Sequence, residues 1–497
     1  MALLNWLVEV NERVNHVVWM WLGLTLLLIT GVWMSLRTGF FQVRYGRHWL
    51  GQTLGQLRRR RDADDGAISP FQALCTTLAA TIGVGNIAGV ATAIAIGGPG
   101  SVFWMWVAAL LGMMTGYAES VLGIYYRRRG KDGWLGGAMY YIRDGLKGTV
   151  GRVIATLFAA FMALASFGIG NMAQANAIAT HLQLVFPSPA LSEITVLGDV
   201  PLYGLLVGLL LTAAVSGILR GGLQRTARVA EVVVPPMVIV FTLGSLAVIG
   251  IHHHRIDDAV SAIFRYAFSP DAVWGAGGGI ALKQVITCGF KRGTFSNEAG
   301  MGSSVAVHAN AHVTEPVQQG MWSIFQVFVD TIVMCTVTAL VVLVGGGIDL
   351  TDGSMLTDAP PETLVSQAFG AVFGSVGEGF VALAVVVFAF TTILGWSQYG
   401  ATAAAYLGEI PRRLYRPLFL SIIPLGAVIS GDVAFSLCDT FNGLMMLPNL
   451  VTLLYLSGTV KQVTDNYIRR RIRREPIAPM LSYYPRIQRQ MMHDDTA

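Results

Sequence analysis

Two short runs set glycine and polar side chains inside stretches otherwise apolar enough to lie in hydrocarbon. The first is Thr81-Ile82-Gly83-Val84-Gly85-Asn86-Ile87-Ala88-Gly89, and the second extends from Cys288 through Phe290, Lys291, Arg292, Asn297 and Glu298 to Gly302. Glycine lets a chain leave helical torsions without a Cβ penalty. A helix interrupted in this way frees carbonyls on its incoming half and N–H groups on its outgoing half. The carbonyls suit a hard cation such as sodium. The N–H groups, with the half-helix dipole, attract a carboxylate at ~0.3–1 kcal/mol per terminus, and up to ~2 when partly buried. Inside a bilayer each such group costs several kcal/mol if it faces lipid, so a break is tolerated where it lines an occupied cavity. Paired breaks in two halves of a chain mark a transporter's binding site. The alternative is a glycine seam between closely packed helices.

Other side chains bear on the same chemistry. Thr391 and Thr392 fall at mid-depth in a long apolar run, one turn before Trp396. Their hydroxyls could complete a sodium shell or bond back to the i−4 carbonyl. Phe167, Asn171 and Gln174 recur at i, i+4 and i+7, which predicts one shared helix face. The two amides could receive an ammonium group or merely bridge helices. Charges within a span are expensive, so Glu119, Glu298 and Asp330 are candidates by default. Glu119 falls near a span end and reads as gating or structural. Lys291 and Arg292 are expected to pair with Glu298 or Glu119. His308 and His312, at i, i+4, leave metal binding open, whereas His252-His253-His254 reads as a solvated turn. Cys75, Cys288, Cys335 and Cys438 lie in spans without CxxC spacing and read as small buried hydrophobes. Trp19, Trp21, Trp104 and Trp106 look like interface anchors. The glycine-rich runs precede no strand, so a phosphate cradle fails its context test.

The elements that must position these residues are membrane helices. Of 497 residues, 54% are hydrophobic and only 13% charged, with a mean hydropathy of +0.57. A soluble chain keeps about a quarter of its residues charged. About eleven apolar spans follow, near 18–36, 70–92, 101–125, 150–182, 201–218, 230–251, 275–302, 317–345, 376–407, 417–431 and 433–457. Most reach the ~20 residues that cross a bilayer, although the tight Gly431-Asp432 junction leaves the division of the last two open. The first span lacks a small-residue cleavage site and reads as a permanent helix rather than a signal peptide. Segments 37–69, 127–149, 219–228, 409–416 and the tail from 458 hold 27 Lys and Arg, against Arg13, Arg255 and Arg265 on the opposite side. Positive charge stays cytoplasmic, so the N-terminus is expected outside and the C-terminus in the cytoplasm of an inner-membrane protein. The net charge of +5 and the run Arg58–Arg61 then speak for anionic lipid at that face and against nucleic acid.

With the first span set aside, the two broken spans are the first and sixth of ten and enter from opposite faces. This is the geometry of a 5+5 inverted repeat. The expected organisation is an extra N-terminal helix with a basic connector (1–69), a first five-helix repeat (70–274), a second (275–457) and a basic tail (458–497). Connections 37–69 and 345–375 have room for surface helices.

At this point the residues resemble one family, the alanine or glycine:cation symporters. Gly97-Gly-Pro-Gly-Ser101-Val-Phe-Trp-Met-Trp106-Val-Ala-Ala-Leu-Leu-Gly112 is similar to its diagnostic motif, with Ser101 where Gly or Ala is usual. Phe71-Gln-Ala-Leu74, Gly85-Asn-Ile-Ala-Gly89, Phe295-Ser-Asn-Glu-Ala-Gly-Met-Gly302 and Phe390-Thr-Thr-Ile-Leu-Gly-Trp396-Ser also match. The similarity runs from about 37 to 460. It implies an all-α membrane protein of LeuT-like fold with one extra helix, and sodium- or proton-coupled uptake of alanine or glycine without a cofactor. Carried over by residue, it implies substrate contacts from Gly83, Gly85, Phe167, Asn171, Gln174, Phe290, Thr392 and Trp396. The cation would lie at the carbonyls of Ala79 and Ile82 and the hydroxyls of Thr391 and Thr392, with Asn86, Glu119, Lys291, Arg292 and Glu298 gating or structural. The chain departs from the family at Ile82, Val84, Gln398 and Ala401, where Arg, Thr, Tyr and Glu are usual, which bears on substrate and ion preference. The residues leave alanine, glycine and another neutral amino acid such as glutamine open, as well as the oligomeric state. A cation channel also uses exposed carbonyls, but it usually assembles identical subunits around a repeated filter. HExxH, GxSxG and paired catalytic aspartates are missing from the spans, which speaks against an enzyme.

Overall fold

The computed structural model describes residues 2–55, 67–130, 133–188, 190–191, 194–196, 200–268, 282–429 and 431–496. The run Arg58–Arg61 and the expected repeat boundary at 274–275 lie outside the described residues, as do the side chains of Trp21 and Cys438.

The principal helices are α1 (Leu24–Arg37), α2 (Pro70–Thr81), α3 (Val90–Gly97), α4 (Ser101–Tyr125), α5 (Gly148–Phe167), α6 (Ala173–Val185), α7 (Leu202–Leu219) and α8 (Gly222–Ile251). They continue with α9 (Leu282–Asn297), α10 (Pro316–Val327), α11 (Thr336–Val344), α12 (Ser375–Leu407), α13 (Glu409–Val428), α14 (Gly431–Tyr455) and α15 (Ser457–Tyr467). Widened turns join α5 to α6 at Gly168–Met172 and α10 to α11 at Phe328–Cys335. Two two-residue β-ladders, Arg128–Arg129 with Trp134–Leu135 and Thr195–Val196 with Val200–Pro201, are the only strands among the described residues.

Six helices among the described residues are long and apolar enough to cross a membrane, and two bent pairs bring the number to eight. Of the spans expected around 18–36, 275–302 and 417–431, the described helical parts are 18–37, 282–297 and 409–428, which are shorter or more charged. The last two expected spans separate into α13 and α14 because Ile429 turns extended. Surface helices do occupy the connectors, at Phe41–Arg44, Gly46–Leu54 and Leu364–Phe373.

Local sequence accounts for the start of the first broken helix. Ser69 caps it in a reciprocal pair with Gln72, and Pro70, which needs no donor, opens the first turn. The helix ends at Ile82 (φ −75°, ψ 98°), and the chain resumes from Gly85 into α3 after a 60° bend. The second break starts later than expected. Residues 288–297 stay helical in α9, and the chain departs only at Glu298 (φ +56°), regaining a single turn at Val305–His308. Glycine in the early part of that run serves close approach rather than torsional freedom, since a Cβ on Gly289 would strike the backbone of α4 at Ser101.

Packing places α12 at the centre, against α2, α5, α6, α8 and α13, while α4 packs on α9 and α10. The tryptophans at span ends are more deeply tied in than interface anchors would be. Trp19 is buried, and Trp106 donates to Thr336 Oγ1 at 2.8 Å. Cys75, Cys288 and Cys335 are free thiols.

Candidate functional site

The site grows from the first break. Ile82 N–H still reaches the Leu78 carbonyl at 2.8 Å, but Gly83 N–H turns to Asn86 Oδ1 at 3.0 Å. The Ala79 carbonyl thereby loses its i+4 donor. The Ile82 carbonyl points across to α12, where Thr392 Oγ1 lies 3.4 Å away. A Cβ on Gly83 would sit 2.8 Å from Thr392 Oγ1 and 3.5 Å from Gln174 Oε1, so only glycine permits this approach. Gly85 is less crowded, with the Phe295 ring edge 3.8 Å from its would-be Cβ.

Thr391 and Thr392 both donate to the Phe388 carbonyl, at 2.9 and 3.0 Å, the back-bonded alternative foreseen for adjacent threonines. A hydroxyl that donates its proton keeps lone pairs, so both oxygens retain the capacity to ligate a cation. Gln174 donates to the Ile169 carbonyl at 3.0 Å, a group freed by the widened turn. Its Oε1 is buried, has no hydrogen-bond partner among the described residues, and lies beside Gly83.

That turn also overturns the expected single face for 167, 171 and 174. One extra residue in the turn rotates everything after it by about a quarter turn or more. Phe167 stacks on Tyr415 at 5.4 Å and lies by Phe419, and Asn171 Nδ2 donates to the Phe419 carbonyl at 2.6 Å, both against α13. Only Gln174 turns to the break. Phe290 is not brought there either. Its ring is buried with Leu24 and Ala108 and sits 6.0 Å from Trp104, on the side of α9 facing α1 and α4.

At the second break, buried Trp396 donates from Nε1 to Glu298 Oε1 at 2.8 Å, and Ser303 donates to Oε2 at 2.7 Å. Glu119 accepts from the Gly302 N–H at 2.9 Å and from Asn449 Nδ2 at 2.6 Å, and Asn449 also donates to the Gly300 carbonyl at 2.9 Å. These neutral donors stand where Lys291 and Arg292 were expected. The Lys291 ammonium instead lies 5.6 Å from the centre of the Trp19 ring. The Arg292 stem passes Gly89, its Cδ 4.0 Å from where a Cβ would be. His308 is a buried strut, with Nε2 2.9 Å from Gln326 Oε1 and Nδ1 2.6 Å from Gln319 Nε2, while His312 is exposed. No group of three His, Cys, Asp or Glu among the described residues has metal-site geometry.

One polar cluster was seen only in fragments from sequence. Asn86 Nδ2 donates to Asp330 Oδ1 at 3.0 Å and to Ser296 Oγ at 2.8 Å, while Ser296 and Thr331 donate to Asp330 Oδ2 at 2.7 and 2.9 Å. This knot ties both breaks to the widened turn between α10 and α11. Asp330 announced itself as a charge in an apolar run. Ser296 appeared only as part of the run Phe295–Gly302, with no role of its own.

This arrangement of broken helices around buried oxygens has close relatives. The model of the sodium:alanine symporter family matches residues 4–479. The chain belongs to that family. It is a membrane transporter of the cation-coupled amino-acid symport class and not an enzyme. Sodium/alanine symporter AgcS of Methanococcus maripaludis is 39% identical over 463 residues, covering 93% of this chain and 97% of the relative. "Probable sodium/glutamine symporter GlnT" of Bacillus subtilis is 33% identical over 461 residues, covering 92% and 90%. Among solved structures, MhsT in complex with L-phenylalanine superposes with a TM-score of 0.50 at 15% identity, covering 81% of this chain and 99% of that one. At that identity the likeness speaks for the fold alone, and the fold is LeuT-like. The symporter is thus a multi-pass helical membrane protein whose first break meets α12 and Gln174.

Proposed function

We propose that the symporter couples inward sodium movement to uptake of a small neutral amino acid, alanine or glycine, by alternating access around the first break. The observation that carries this reading is the convergence of Gly83, the Ile82 carbonyl, Thr392 and the unpartnered Gln174 Oε1 within one buried locus. Sodium would lie at the Ala79 and Ile82 carbonyls with Thr391 and Thr392. The substrate carboxylate would lie at the break beside Gly83 and take the Gly85 N–H, since Asn86 Oδ1 holds that of Gly83, and its ammonium would take Gln174 Oε1. Trp396 would wall the site from α12, with Phe167 of α5 and Asn171 of the widened turn packed behind it against α13, and Phe290 leaves the substrate set.

Size favours a small substrate, because even a methyl on Gly83 would intrude on Thr392. The name of the relative AgcS, a sodium/alanine symporter, supports the same choice; that of GlnT, a probable sodium/glutamine symporter, keeps glutamine as the second reading. The charge asymmetry supports an N-terminus outside and a cytoplasmic C-terminus in the inner membrane. A tenfold sodium gradient supplies about 1.4 kcal/mol and 100 mV another ~2.3, enough for roughly four-hundredfold accumulation of a neutral substrate. The test is uptake of labelled alanine, glycine and glutamine into proteoliposomes under an imposed sodium or proton gradient. Alanine or glycine should accumulate with sodium. Accumulation with a proton gradient alone would reassign the coupling ion, and leak-level uptake with either would end the symport reading.

A further inference from the structure

A cavity of about 480 Å³ opens on the basic face of the molecule, where α1 ends, the chain turns through Thr38 and Gly39, and α15 and its continuation pass beside it. Its walls carry Arg37, Arg44, Lys461, Arg469 and Arg473 against a single carboxylate, Asp465. Lys461 and Asp465 pair with each other, and Arg469 is engaged by Glu475 at 2.5 Å. Arg37, Arg44 and Arg473 form no ion pair among the described residues, and the one carboxylate of the wall, Asp465, is held by Lys461. Arg37 and Arg44 rest near the rings of Trp33 and Tyr45, at 5.1 and 5.8 Å, which leaves their guanidinium donors for another partner.

The cavity also has an apolar side. Leu36 lines it and is 56% exposed, and Ile29, Val32 and Trp33 continue the exposed strip along α1. Phe40 and Val43 extend that surface past the turn, with Val43 62% exposed. In a bilayer this strip faces acyl chains, so the basic cavity opens directly beside the lipid tails that cover α1. A two-chain lipid would satisfy both, with its phosphate among the guanidiniums and its acyl chains along α1, because guanidinium forks match phosphate oxygens. Basic pockets between membrane helices at the positively charged face suit such headgroups. The frame is fixed, since Trp33 Nε1 donates to Ser457 Oγ at 3.0 Å and ties α1 to α15.

We infer that this cavity is a binding site for the headgroup of an anionic diacyl phospholipid, clasped between α1 and α15 by Arg37, Arg44 and Arg473. The site is separate from the substrate locus and independent of which amino acid is carried.

The experiment titrates the purified full chain in detergent with dioleoyl phosphatidylglycerol, dioleoyl phosphatidylcholine or inorganic phosphate and counts retained lipid by native mass spectrometry. Phosphatidylglycerol should be retained well above phosphatidylcholine and resist competition by phosphate. The pair Arg44→Gln with Arg473→Gln should weaken its retention about thirtyfold, from a roughly fivefold loss per membrane-facing arginine. Arg152→Gln, an exposed cation elsewhere, should change nothing. If the pair does not fold, Arg44→Gln alone should still weaken retention about fivefold. Equal retention of the two lipids, displacement by phosphate at equal concentration, or undiminished retention in the arginine variants would each overturn the inference.

Discussion

Thr392→Val isolates one oxygen of the proposed ion site. Valine has nearly the shape of threonine, so α12 keeps its packing against α2. The folding cost is the hydroxyl's bond to the Phe388 carbonyl, which still has Thr391 Oγ1 at 2.9 Å, and its longer contact with the Ile82 carbonyl. A net hydrogen bond of this kind is worth about 0.5–1.5 kcal/mol, small enough for normal membrane insertion. The functional loss is larger. The hydroxyl lies 3.4 Å from the Ile82 carbonyl, and valine would leave a methyl where a cation needs an oxygen. An interaction with a charged group contributes about 1.5–3 kcal/mol, so half-saturating sodium should rise about tenfold to 150-fold. The assay is alanine uptake into proteoliposomes across a sodium series, with saturating sodium rescuing part of the rate. A half-saturating concentration within twofold of wild type, at equal protein level, would remove Thr392 from the ion site and with it the account of the first break.

The other expectations can be checked in the same preparations. Gly83→Ala places a methyl 2.8 Å from Thr392 Oγ1 and toward Gln174 Oε1, so uptake should fall to leak while the protein still inserts; near-normal transport would show that the break has slack. Trp396→Phe leaves Glu298 Oε1 buried without its 2.8 Å donor, which should lower stability by about 1–3 kcal/mol and be seen as earlier thermal unfolding in detergent. An unchanged melting curve would mean that bond contributes nothing. Asp330→Ala strips the acceptor from Asn86, Ser296 and Thr331 at once and should cost at least about 2 kcal/mol, again read by thermal unfolding. Combining Thr392→Val with Trp396→Phe should give non-additive uptake kinetics, with a coupling of at least about 0.5 kcal/mol; strict additivity would argue that the two breaks act independently.

The class of fold was legible because hydrophobic length and glycine placement are local properties of the chain. The same holds for the first break, where Gly83 and Gly85 lie in the run that named it. The second break was placed too early because glycine has two uses that look alike in a sequence. Gly289 packs against α4 as helix, while the real departure waits for Glu298, a residue no propensity argument would put at positive φ. The face of Asn171 was misread because a widened turn adds a residue out of phase, and nothing in Gly168–Met172 but its two glycines hints at it. The long-range pairs, such as Asn86 with Asp330 or Glu119 with Asn449, follow from topology alone and leave no trace in spacing.

The helix that joins these pieces is α12. Within two turns it presents Thr392 to the Ile82 carbonyl, Gly395 to the main chain at Ala80, and Trp396 to Glu298. Gly395 has no side chain to hold α2 away, so α12 and the incoming half of the first break cannot slide apart without losing that contact. A cation held between Ile82 and Thr392 would fix the same interface from within, and Trp396 would carry the position of α12 to the second break through one hydrogen bond. Under the proposed function, coupling between ion and substrate would need no distant relay. It would need only that one rigid helix touch both interruptions, as α12 does.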